Sequence, residues 1–162
     1  MKKVLFILIV FCNIVFASNS SKFSEIRYVN ALDKTFTLSG NISFSENDIK
    51  IEYLHPQPRI ITYQDELLII KENNSTKTVE INSQPVMGYF FMIIRAIYDD
   101  NYILLDSFFD IEEVELGHTK LIPKDLSAQY LEDIVFYKDE RNLKLLKIIT
   151  TSQDRIEIEV FD

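Results

Sequence analysis

The clearest signal in the chain is a period-two alternation between residues 35 and 53. Phe36, Leu38, Ile42 and Phe44 alternate with Thr35, Thr37, Ser39, Asn41, Ser43 and Ser45. Gly40 interrupts the apolar series, where a bulge or a close backbone approach is expected. Ser45-Glu46-Asn47-Asp48 has turn chemistry, and Ile49, Ile51 and Tyr53 then alternate with Lys50 and Glu52. The two segments predict a β-hairpin with one apolar and one wet face. Ahead of it, Phe23, Ile26 and Val29 recur every three residues behind Ser21, with Glu25 in the first turn. That spacing predicts a helix over Ser21 to Leu32.

Pro56 and Pro58 interrupt the alternation and predict an edge or a crossing loop. Strands are expected at Arg59 to Tyr63, Leu67 to Lys71 and Lys77 to Ile81, around turns at Gln64-Asp65-Glu66 and Asn73-Asn74-Ser75. From Pro85 to Ile97 the character changes, and the chain is apolar on nearly every face. Periodicity alone leaves a strand open there. The length, the methionines Met87 and Met92, and Pro85 at a first turn predict a helix that is buried or covers something apolar. Strand-like segments resume at Tyr102 to Phe109 and Ile111 to Leu116, and the turn Gly117-His118 leads to Leu121-Ile122-Pro123. A short helix is read over Asp125 to Asp133, then strands at Ile134 to Tyr137, Leu143 to Ile149 and Arg155 to Val160.

The expected fold is therefore mainly β. It is an incomplete antiparallel β-barrel of roughly nine to eleven strands, covered by an N-terminal helix and a mid-chain helix acting as a lid. A sheet of this size needs a cover or a cavity on its inner face.

The first seventeen residues set the expected location. Met1-Lys2-Lys3 is basic, Val4 to Phe16 is apolar apart from Cys12 and Asn13, and Ala17 is small. This reads as a signal peptide over 1–17, cleaved after Ala17, with an uncleaved N-terminal anchor as the alternative. The remainder, 18–162, reads as one domain that folds without disulfides, since Cys12 is the only cysteine. The formal net charge is −8, and no basic block offsets it, which argues against nucleic acid and against stable binding to an anionic membrane.

Catalytic chemistry is sparse, and no enzyme is expected. His55 and His118 stand alone, with no second histidine or cysteine at metal-ligand spacing. Glycine occurs only at 40, 88 and 117, so there is no phosphate-cradling loop, and no serine sits in a Gly-x-Ser-x-Gly elbow. No cofactor and no metal are expected. What remains is apolar surface. Phe36, Leu38, Ile42, Phe44, Ile49, Ile51 and Tyr53 point one way from the sheet, and Met87, Phe90, Phe91, Met92 and Ile94 can face them from the helix. Such residues make either an ordinary core or an adaptable cavity for an apolar guest. Arg95 is the only charge on the helix; it either latches the helix to the barrel rim or faces water.

The order of parts resembles the periplasmic lipoprotein carriers of the LolA type. The resemblance covers almost all of 18–162 and lies in pattern. It runs through the opening helix read over Phe23 to Leu32, the hairpin Phe36 to Tyr53, and Tyr53-Leu54-His55-Pro56 leading to a strand with Asp65 at its turn. It continues in the mid-chain helix, Leu121-Ile122-Pro123-Lys124 and the closing Asp154 to Phe161 strand. The chain departs from the family in having Glu46-Asn47-Asp48 where Arg-Pro-Gly often stands, and in having no tryptophan. The resemblance implies a carrier in the periplasm of a Gram-negative bacterium, with helices lidding a hydrophobic cavity, and a lidded barrel of this kind suggests a monomer. It implies acylated lipoproteins as cargo, an inner-membrane ABC exporter as donor and an outer-membrane acceptor. A lipid- or lipoprotein-sensing module and a structural β protein with a filled core are the alternatives.

Overall fold

The computed structural model describes residues 19–140 and 142–161, so the segment read as a signal peptide lies outside the described residues. Six strands come first: β1 (Asn19–Val29), β2 (Lys34–Phe44), β3 (Asp48–His55), β4 (Arg59–Gln64), β5 (Leu67–Glu72) and β6 (Ser75–Glu80). Helices α1 (Pro85–Tyr98) and α2 (Tyr102–Asp106) follow. Five more strands complete the chain: β7 (Phe109–Glu113), β8 (Thr119–Pro123), β9 (Leu131–Asp139), β10 (Asn142–Thr150) and β11 (Arg155–Phe161). All eleven form one antiparallel sheet in the order β6-β5-β4-β3-β2-β1-β11-β10-β9-β8-β7. The pairing of β1 with β11 joins the two runs of hairpins at the middle. β6 and β7 are free edges, so the sheet is not closed, and the two helices occupy the connection between those edges.

Four local expectations are corrected. Ser21 to Leu32 is not a helix. Residues 19–29 are β1, with only a short 3-10 turn at Asn30–Leu32. The true period is two: Phe23 and Glu25 are buried on one face, whereas Ile26 is half exposed on the other. A buried carboxylate in the apolar series disguised the strand as a helix. The second helical cover is accordingly missing. Tyr102 to Phe109 is not a strand either. Asn101 accepts a hydrogen bond from the Leu104 amide at 3.1 Å and caps α2, which buries only Leu105. The Ile111 to Leu116 strand stops at Glu113, because Leu116 and Gly117 adopt positive φ in a tight turn. The helix read over Asp125 to Asp133 shrinks to a 3-10 turn at Ser127–Gln129, and β9 begins at Leu131.

The central hairpin is where the alternation puts it. Ile42 lies opposite Ile51, and Phe44 opposite Ile49. Both readings of Gly40 hold together. The register slips between Ser39 and Gly40, and a Cβ at position 40 would sit 1.9 Å from the Glu52 carbonyl oxygen. Only glycine lets β2 come this close to β3.

α1 covers the inner face. Pro85 opens it, and its 14 residues include none that is exposed. Phe90, Phe91, Ile93, Ile94, Ala96 and Ile97 are buried among the inward residues of the sheet. Phe91 stacks on Tyr63 of β4, Tyr98 stacks on Phe44 of β2, and Tyr89 meets Phe109 of β7 edge-on. The helix therefore touches strands from both halves of the sheet.

Candidate functional site

The twelve apolar residues singled out from the sequence fall into three environments. Ile42, Ile49, Ile51, Tyr53, Phe90, Phe91 and Ile94 are buried in the common core. Leu38, Phe44, Met87 and Met92 are half-buried at its border. Phe36 is 41% exposed near the far end of β2 and lies outside the cluster. α1 packs directly on the sheet, and the void beside Ile42, Phe44, Ile94 and Tyr98 is only about 50 Å³.

Arg95 reaches from α1 to the turn between β2 and β3. Its Nη1 donates to the Ser45 carbonyl at 2.7 Å, and its Nη2 donates to the Glu46 carbonyl. Its Nε pairs with Asp99 Oδ2 at 2.8 Å, one turn further along the helix. The guanidinium is a quarter exposed, so these contacts sit at the edge of the core.

A polar network escaped the sequence reading because it lies on the segment read as a helix. Glu25 is fully buried on the inner face of β1, directly across from Leu38 and Ile158. Arg27 Nε donates to Glu25 Oε1 at 2.7 Å, and the Tyr53 hydroxyl donates to Glu25 Oε2 at 2.9 Å. A buried carboxylate is tolerable only when both oxygens are engaged in this way. Burial, then the Glu25 carboxylate beside it, pushes the Tyr53 phenol well above its ordinary pKa. The Arg59 guanidinium lies over the Tyr53 ring, 4.8 Å from its centre. The signal in the sequence was period two: Phe23, Glu25 and Arg27 share a face only if the segment is a strand.

Two larger cavities flank the start of α1. One, of about 250 Å³, opens between β4, β5, β6 and the first turns of α1. Its apolar lining is Ile61, Leu68, Ile70, Val79 and Met87, and its polar lining includes Arg27, Arg59 and Lys77. The other, of about 420 Å³, is a groove along the open seam of the sheet. It runs from Glu66 and Ile81 on the β6 side, past Tyr89 and Met92, to Phe108, Leu126 and Tyr130 on the β7 side. The groove is lined chiefly by flexible or aromatic apolar groups, the composition that accepts irregular apolar guests, whereas the smaller cavity has an aliphatic lining.

The histidines stand apart from these cavities. His55 is exposed at the end of β3, and His118 lies against the Tyr137 ring at 5.3 Å. Among the described residues, no group of three or more His, Cys, Asp or Glu side chains is placed to hold a metal ion. No helix among them is long and apolar enough to cross a membrane. The chain matches no protein-family model and no curated protein sequence.

Proposed function

We propose that this protein binds the acyl chains of lipoproteins between its sheet and α1 and carries them across the periplasm, from an inner-membrane ABC exporter to an outer-membrane acceptor. The observation that carries the reading is the placing of α1. One apolar helix packs on the inner face of an open sheet, with a partly apolar cavity on either side of its first turns. An acyl chain gains about 0.8 kcal/mol for each CH₂ removed from water, so a carrier needs a surface of this kind and a way to uncover it. Arg95 holds α1 to the β2–β3 turn by hydrogen bonds to backbone carbonyls. Such contacts break and re-form without rearranging the core. In this proposal they latch the closed state, and α1 and the sheet have a second packing when a guest enters. The cavity wall then includes Ile42, Phe44, Ile49, Ile51, Met87, Phe90, Phe91, Met92 and Ile94.

The test is denaturing mass spectrometry of the protein recovered from a Gram-negative periplasm, with titration of a fluorescent fatty-acid probe. Co-purified acylated species near one per protein, and probe binding altered by Phe90→Glu and by Arg95→Ala, are expected. An empty protein that takes up no probe overturns the proposal. It would leave a structural β protein, which the 50 Å³ void beside Ile42 and Ile94 already favours.

A further inference from the structure

We propose that Arg27, Arg59 and Lys77 form a site for the anionic head of a single-chain amphiphile, a carboxylate or a phosphate, whose tail lies in the 250 Å³ cavity; this rests on the acyl-binding reading above. The chain carries 25 acidic and 17 basic residues, yet the charged side chains lining this cavity are all cations. Arg27 is occupied in part by Glu25. Among the described residues, no carboxylate pairs with Arg59 or Lys77. Arg59 Nε is buried and has no hydrogen-bond partner. A buried guanidinium N–H without an acceptor is unfavourable, and an anionic oxygen would relieve it.

The site is built rather than incidental. Buried Glu25 fixes Arg27 through one oxygen and Tyr53 through the other, and the Tyr53 ring in turn supports Arg59. Two cations are thus positioned by a buried scaffold before any ligand arrives. Lys77, on the exposed edge strand β6, supplies an exposed third charge to the lining. Ile61, Leu68 and Met87 line the apolar part. The volume lies just below the range of about 300–1,000 Å³ for small-molecule pockets, which fits one chain and not several.

The experiment is displacement of the fluorescent acyl probe by dodecanoate, dodecyl phosphate and uncharged dodecanol, using protein recovered from the periplasm. At least one anion should bind about tenfold more tightly than the alcohol, the equivalent of one charge-assisted hydrogen bond. The better anion identifies the head group. Arg59→Gln with Lys77→Gln should abolish that preference, so that the better anion and dodecanol bind alike. Lys77→Gln alone, at an exposed residue, should reduce the preference without affecting folding. Equal binding of anions and alcohol by the unmodified protein overturns the anion site and leaves the acyl-binding reading intact. Failure of all three to displace a bound probe overturns the anion site, and no probe binding at all overturns both.

Discussion

The two halves of the sheet solve the same packing problem differently. In the half made of β8, β9, β10 and β11, the inward residues Leu121, Ile134, Phe136, Leu146, Ile148, Ile156 and Ile158 are all buried and apolar. Their register is direct: Phe136 faces Leu146, and Ile134 faces Leu121 and Ile148. Charges there lie on the outer face, as in the Lys147–Glu157 and Lys120–Asp133 pairs. In the half made of β1 to β6, the same inner face carries Glu25, Arg27, Arg59 and Lys77, and a cavity opens beside them. One half is closed mainly by apolar volume, with Thr150 as a buried polar residue, whereas the other carries paired charge and leaves room. A protein needing only stability would have no use for the second arrangement, since buried ion pairs are rarely better than apolar packing. The proposed anion site lies in that first half.

Substitutions can break the contrast in graded steps. Gly40→Ala should be the most damaging, because its Cβ would collide with the Glu52 carbonyl and force β2 from β3. A loss above about 4 kcal/mol is expected, read as failure to fold or a large fall in Tm; a Tm near that of the parent would show that the strands separate easily. Next is Phe136→Ala in the dry half, where a side chain 1% exposed leaves a cavity costing about 3–5 kcal/mol. Denaturant unfolding measures it, and a loss below about 1 kcal/mol would mean that this core collapses to fill the gap.

Arg27→Met tests the wet half. It leaves buried Glu25 with the Tyr53 hydroxyl as its hydrogen-bond donor and should cost about 3 kcal/mol. The double exchange Glu25→Met with Arg27→Met should recover much of that loss, since neither charge is then stranded. If the double variant is no better than the single one, the network is not what holds this half together.

The smallest effect belongs to Tyr53→Phe, about 1–2 kcal/mol near neutral pH from the lost hydrogen bond to Glu25. Its pH signature sharpens the contrast. The Tyr53 phenol has its pKa raised in the folded protein, so folding favours the protonated form. The resulting stability is fully present below the ordinary value of 10.0 and is lost as pH climbs from there towards the folded pKa. Alkaline unfolding of the parent should therefore be shallower in Tyr53→Phe, whereas Phe136→Ala should keep the parent's pH dependence. Identical alkaline profiles for Tyr53→Phe and the parent would overturn this account of the phenol.

Local pattern was a good guide wherever side chains obey a simple inside-outside rule. The alternation of Phe36 to Tyr53, the continuous apolar run of α1 and the closing Ile156, Ile158 and Val160 series all stand in the fold as strand or helix. It misled where a residue breaks the rule for a tertiary reason. Glu25 hid β1, because a carboxylate at an inward position is acceptable only with Arg27 and with Tyr53 from a strand two places across the sheet. Tyr102 to Asp106 became a helix through one cap and one buried leucine, too little periodicity to recognise in advance. The candidate cations were visible as residues but not as a group, since Arg27, Arg59 and Lys77 converge only when β1, β4 and β6 share one face. Spacing along a chain encodes which face a residue takes within its own strand. Which strands lie side by side, and what space the covering helix leaves between them, depends on contacts between residues far apart in sequence.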